Sequence, residues 1–243
     1  MQDVSPLDFF ALAWFLVFWA GYVRFSKNKY KNENVGLIAE MNAVRKDWGE
    51  EVIHRENRMM DIVLINGLVQ KESFFASTTI LLLASALALM GVGDQVLQLF
   101  QNIPFAQETP IILWEMKVLV LIMVLMFAFF KFTWSIRQSS YCATLVGSMP
   151  APEHCETPAA RAKAIQLANL SSLAASQFNN GLRAYYFSLA ILSWFYHPLA
   201  FMLASAWVVA ILYRREYFSN AHSILKENVD GAEDSDTSTD KET

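Results

Sequence analysis

The sequence predicts an all-α protein: an integral membrane helical bundle of about five transmembrane helices, the last two a short hairpin, plus two cytoplasmic amphipathic helical segments. Three observations predict it. Of 243 residues, 54% are hydrophobic and only 17% are charged, with mean hydropathy +0.27, where soluble domains carry about 25% charged residues. The apolar residues gather in uncharged blocks close to the roughly 20 residues that cross a bilayer as a helix. The basic residues fall on one side of every block. These figures exclude a disordered chain, a disulfide scaffold and an ordinary soluble core.

Residues 7–23 form the first block and residues 74–93 the second, and Pro110 introduces the third, residues 111–136. Residues 182–213 as one helix would measure about 48 Å, too long for a single crossing. Tyr196-His197-Pro198 breaks it, because proline disfavours a helical residue before it and donates no N–H. Arg24, Lys27, Lys29 and Lys31 follow the first span. Arg137, Arg161, Lys163 and Arg183 follow the third, and Arg214, Arg215 and Lys226 follow the last. The N-terminal tail, residues 94–110 and the tip at His197 hold no Lys or Arg. Positive residues stay cytoplasmic, so the N-terminus is expected outside and the C-terminus inside. With no positive n-region and no small-residue cleavage site, the first block is expected to remain as an anchor.

Between the spans, Leu37, Met41, Val44, Trp48 and Val52 have the spacing of an amphipathic helix, which continues as Met59, Met60, Ile62, Val63 and Ile65 at the interface. A second segment starts at Thr157-Pro158, a capping residue and a first-turn proline. It runs through Ile165, Leu167, Leu170, Leu173 and Phe178 to Asn179-Asn180-Gly181, read as a helix stop or kink. The two segments are expected to pack on each other beneath the bundle. Residues 1–228 thus form one membrane-embedded domain. Residues 229–243 carry six carboxylates against Lys241, outweighing the whole net charge of −4, and are expected to be a disordered acidic cytoplasmic tail. The remainder is near neutral, with no basic footprint for nucleic acid.

Several strings carry a family resemblance. They are Arg55-Glu56-Asn57-Arg58-Met59-Met60-Asp61, FFASTTILLLASALALMG (residues 74–91), FKFTWSIRQSSYC (130–142), FNNGLRAYYFSLAILSWFYHPLAF (178–201) and LYRREYFSNA (212–221). Together they resemble the bacterial membrane family known as domain of unknown function 599. The resemblance implies a bacterial integral membrane protein and carries no catalytic residue with it.

Two polar clusters are candidate binding residues. His54, Arg55, Asn57, Arg58 and Asp61 are spaced to share a helix face, where Arg would hold an anionic group and Asp would align it. Asn179, Asn180, Arg183 and Tyr186 sit at the entry to the fourth span, where unpaired polar groups are costly. The sharper expectation joins them in one site at the cytoplasmic mouth through an Asp61–Arg183 contact. The plainer one leaves a solvated helix face and interfacial anchors. Glu115, Lys117 and Lys131 are the intramembrane ionisable residues. Lysines near span ends snorkel, so Glu115, with its shorter side chain, is the one expected to be buried. Cys142, His154 and Cys155 lack the spacing of a zinc site, so neither metal nor cofactor is expected.

Ala84 with Ala88, Ala200 with Ala204 and Ala206 with Ala210 give small faces for helix contact within one chain or between protomers. The expected partners are the lipid bilayer and either a second copy or another membrane protein. No phosphate loop, His-Glu-x-x-His or serine elbow supports conventional catalysis. The residues favour a non-enzymatic binding or scaffolding component of the bacterial inner membrane acting through its cytoplasmic helices. The alternatives are an oligomeric permease for a small solute or ion, and a lipid-modifying enzyme using the region from His54 to Asp61.

Overall fold

The first three apolar blocks each fall on a helix longer than the block, and the fourth is divided between two helices. In the computed structural model, residues 6–33, 36–93 and 110–218 are described, with side chains described except at 26–33. The helices are α1 (Pro6–Glu33), α2 (Leu37–His54), α3 (Met59–Gly91), α4 (Ile111–Gly147), α5 (Pro158–Trp194) and α6 (Pro198–Tyr217), with a 3-10 turn at Pro152–His154. Among the described residues there is no strand. The acidic tail and most of the loop before Pro110 lie outside the described residues.

The starts follow the sequence signals. Thr157 caps α5 by accepting from the Ala160 N–H at 3.3 Å, with Pro158 in the first turn. His197 caps α6 through Nδ1, which accepts from the Leu199 N–H at 3.1 Å, so the expected break at His197-Pro198 is present. α2 begins after Gly36, whose φ of +117° is open to glycine. One expectation fails. Asn179-Asn180-Gly181 does not stop the second amphipathic segment, and α5 runs through it for 37 residues. Gly181 serves packing instead: a Cβ there would lie 2.5 Å from the Phe132 ring. α5 and α6 form the terminal hairpin, with Trp194 stacked on Phe201 at 4.9 Å across the turn.

Two cores result. The larger joins α1, α4, α5 and α6 around Phe15, Val118, Leu125, Phe132, Phe187, Trp194 and Phe201, with Ala76 and Ala86 of α3 at its side. The smaller lies where α2 packs along the first half of α5, and holds Val52, Ile53, Ile65, Cys142, Val146 and Leu167. The two amphipathic segments thus pack on each other, as their periodicity implies. Outside, Phe10, Val17, Leu81, Met123, Leu189 and Leu203 stand exposed, more apolar surface than a water-soluble monomer leaves open.

Four helices are long and apolar enough to cross a membrane: Pro6–Phe25, Met59–Gly91, Ile111–Gly147 and Pro198–Tyr217. α5 is not among these four, against the five spans expected, and its C-terminal part packs with them through Phe187 and Ile191 of the larger core. α3 and α4, at about 50 and 55 Å, exceed the roughly 30 Å of a hydrocarbon layer. Their surplus turns support α2 and the start of α5.

Glycine substitutions test this packing. A Cβ at Gly49 would meet the Ala164 carbonyl oxygen at 2.7 Å, a backbone atom that cannot step aside, whereas Gly67 has nothing within 4 Å. Gly49→Ala and Gly181→Ala are each expected to cost about 1–3 kcal/mol. Gly67→Ala should be neutral or stabilising by up to about 1 kcal/mol. Thermal unfolding in detergent, compared across the three variants, measures the difference.

Candidate binding cleft and its polar anchors

α2 ends at His54, and its last carbonyls need partners that a short connection cannot supply. Arg58 supplies them. Its Nε donates to Val52 O at 3.0 Å and its Nη2 to Ile53 O at 3.3 Å. The same guanidinium donates to Met149 O at 3.2 Å and Pro150 O at 2.7 Å, beyond the end of α4. Asp61, only 2% exposed, accepts through Oδ1 from Trp48 Nε1 at 2.9 Å and from Arg55 Nη1 at 2.7 Å. Asn57 accepts from the Met59 N–H at 2.9 Å just before α3, and His54 stands exposed. The first cluster is therefore a joint between α2, α3 and the turn after α4.

The second cluster closes on other helices. Arg183, buried on α5, lies 4.0 Å from Glu216 of α6, 3.4 Å from Asn180 Oδ1, and 5.2 Å from the Tyr22 ring of α1. Tyr186 accepts from Arg215 Nη1 at 3.1 Å. Asp61 and Arg183 thus do not pair as expected. Arg55, six residues away, is close enough to satisfy Asp61 first, and Glu216 faces Arg183 across the hairpin.

What lies between the clusters is a cleft of about 400 Å³. Trp48, the partner of Asp61, lines one side, and Asn179 and Glu216 line the other. Its apolar wall includes Met41, Ile65, Leu68 and Phe178. Arg45 of α2 stands in the lining, half-buried, and desolvation lowers its pKa from the ordinary guanidinium value. Lys71 lies over the Phe178 ring at 4.9 Å.

Glu72 lines the same cleft and is only 4% exposed. Its Oε1 accepts from Ser135 Oγ at 2.8 Å and Ser139 Oγ at 3.0 Å, while its buried Oε2 has no hydrogen-bond partner. Burying a carboxylate oxygen without a donor is costly, and such groups mark functional positions. The sequence reading passed over Glu72 because it stands at the edge of a span. The available signal was Ser135 and Ser139, two hydroxyls one turn apart on an otherwise apolar helix, which want a polar partner.

At the opposite end of the bundle the expectation reverses. Glu115 is exposed, and Lys117 is buried. Lys117 Nζ lies 3.6 Å from Asp8 Oδ1 and donates to Trp194 O at 3.0 Å, while Trp194 Nε1 donates to Asp8 Oδ1 at 2.7 Å. Glu115 is exposed because its position on α4 turns outward from the bundle. Lys117 faces α1 and α5, where a carboxylate and a carbonyl replace the water it gives up. Lys131, half-buried, donates to Gln177 Oε1 at 3.0 Å. Cys142 is buried in the smaller core. Cys155 instead has His54 and Glu156 within ligand reach, a grouping that spacing along the chain does not reveal.

The model of the family described as "Protein of unknown function, DUF599" matches residues 10–221. The chain belongs to this family. No curated protein and no solved structure matches it. The match spans both clusters, the cleft, and Lys117 and Trp194 of the knot but not Asp8, and stops within the segment that follows α6.

Double-mutant cycles separate the two pairings. Asp61→Asn combined with Arg55→Gln should show coupling of about 1 kcal/mol or less, since Arg55 is partly exposed. Asp61→Asn combined with Arg183→Gln should be additive within about 0.5 kcal/mol. Unfolding of the six proteins in detergent gives both numbers.

Proposed function

We propose that this chain is a multi-pass protein of the bacterial inner membrane that works by binding. α2 forms the roof of a cytoplasmic-side cleft for an amphipathic molecule bearing a primary amine. One observation carries the reading: the buried Glu72 carboxylate has one oxygen held by two serines and the other without a donor, in a cleft with an apolar wall. A primary ammonium brings several donors to that oxygen. Arg45 and Lys71 in the same lining suit an anionic group beside the amine. An aminophospholipid headgroup has both charges, and its source is the bilayer itself.

The permease reading has less support. From Ser135 to Lys117, about 27 Å along α4, the inward residues are Phe132, Ala128, Leu125, Val124, Leu121 and Val118, all buried and apolar. A conducting path within one chain would need polar lining at that depth. A path between copies is the surviving form, with Ala84 and Ala88 exposed on α3 as the small face for contact. For orientation, the reading takes the N-terminus and His197 as outside and the C-terminus as cytoplasmic, from the placement of Lys and Arg.

Two measurements test these proposals. In native mass spectrometry of protein from an equimolar phosphatidylethanolamine and phosphatidylcholine mixture, the wild type should retain the ethanolamine lipid by about tenfold, the worth of a charged hydrogen bond. Glu72→Gln keeps the shape and should lose the preference. Equal retention of the two lipids, with cation flux in proteoliposomes, would move the reading to the permease. Separately, His197→Cys in a Cys155→Ser background should react with an impermeant maleimide only from outside intact cells. Reaction only in inverted vesicles would reverse the orientation.

A further inference from the structure

We propose a second site, unconnected with the cleft: a zinc-class metal held between the end of α2 and the turn preceding α5. His54, Cys155 and Glu156 each offer a ligand atom there, and these atoms all lie within 4.8 Å of one another. They border a recess of about 320 Å³ into which Glu50 also faces, one turn before His54 on α2. Tetrahedral zinc with bonds of 2.0–2.3 Å sets its ligand atoms roughly 3.5 Å apart. The atoms need to close by no more than about 1.3 Å to reach that spacing.

The donor set selects the metal class. Imidazole nitrogen with thiolate sulfur suits zinc and its neighbours over magnesium or calcium, which take oxygen. A thiolate, a carboxylate and a neutral imidazole bring two negative charges, balancing a divalent ion. Glu50 or a water completes four-fold coordination. Arg161, ion-paired with Glu156, is placed to orient that carboxylate, as outer-sphere partners of metal ligands do.

The backbone is already arranged for this. Arg58 binds the carbonyls of Val52 and Ile53, next to His54, and those of Met149 and Pro150, a few residues before Cys155. Gly49 lets α2 approach the Ala164 carbonyl closely, one turn from His54. Both ligand-bearing segments are therefore held together without the metal, so binding need not bear the cost of ordering them. His54 and Glu156 are exposed and Cys155 is half-buried, which leaves an entry path.

The test uses the full chain in detergent, stripped with chelator and titrated with Zn²⁺ against a competing fluorescent chelator. One zinc per chain with Kd below about 1 µM is expected. His54→Ala and Cys155→Ser should each weaken it by at least about tenfold, and Cys142→Ser should leave it unchanged. Substitution with Co²⁺ should give a thiolate charge-transfer absorption that disappears in Cys155→Ser and survives in Cys142→Ser. Cys155→Ser changes one atom at a half-buried position, and helical circular dichroism checks that it folds. Less than half a zinc per chain at saturation, or binding indifferent to both His54→Ala and Cys155→Ser, would overturn the site. Loss of zinc binding with lipid preference intact separates this proposal from the cleft reading.

Discussion

The guanidinium of Arg58 holds α2 in place against the rest of this structure. Four carbonyl oxygens converge on it, two from the end of α2 and two from the residues that follow α4. Lysine has the charge but not the planar fork that donates in several directions at once. Because α2 is fixed at this end and packs along α5 through Gly49, it lies as a roof over the bundle instead of extending into solvent. The cleft exists because of that placement, and so does the proximity of His54 to Cys155.

Between helices in an apolar medium, a polar group depends on partners from other helices. The chain meets this demand in three layers. Lys117, Asp8 and Trp194 pair with one another at one end. Arg183, Glu216 and Tyr22 meet near the other end. Glu72 shares two serine hydroxyls at a third level and is the one of these carboxylates that borders the cleft with an oxygen unserved. Asp8 Oδ2 is likewise buried without a hydrogen-bond partner, but Asp8 does not line the cleft, as Glu72 does.

The large features were legible in the sequence because they arise from local physics. Hydrophobic blocks, the Thr157-Pro158 start and the His197-Pro198 break each depend on neighbours within a few residues, and each appears where expected. The errors came where tertiary contact decides. Gly181 resembles a stop signal, yet its missing Cβ admits the Phe132 ring. Glu115 and Lys117 differ by two positions, so a helical turn sends one outward and the other into the core, and nothing local says which. Asp61 found Arg55, close in sequence, before the more distant Arg183. Glu72 gave no warning because its partners lie 63 and 67 residues away.

The Lys117 knot sets an order of events during synthesis. Asp8 is made in the first turn of α1, but Trp194, whose indole it accepts from, follows 186 residues later. At about 5–20 residues per second, the ribosome needs roughly 10–40 s to cover that distance. Throughout that interval Asp8 of α1 lacks its indole donor from α5, and Phe15 lacks the aromatic surface of Phe187 and Phe201 against which it packs. α1 is therefore among the last helices to be locked, and a chain arrested before α5 leaves it only its contacts with α4, Asp8 with Lys117 and Trp19 with Phe127.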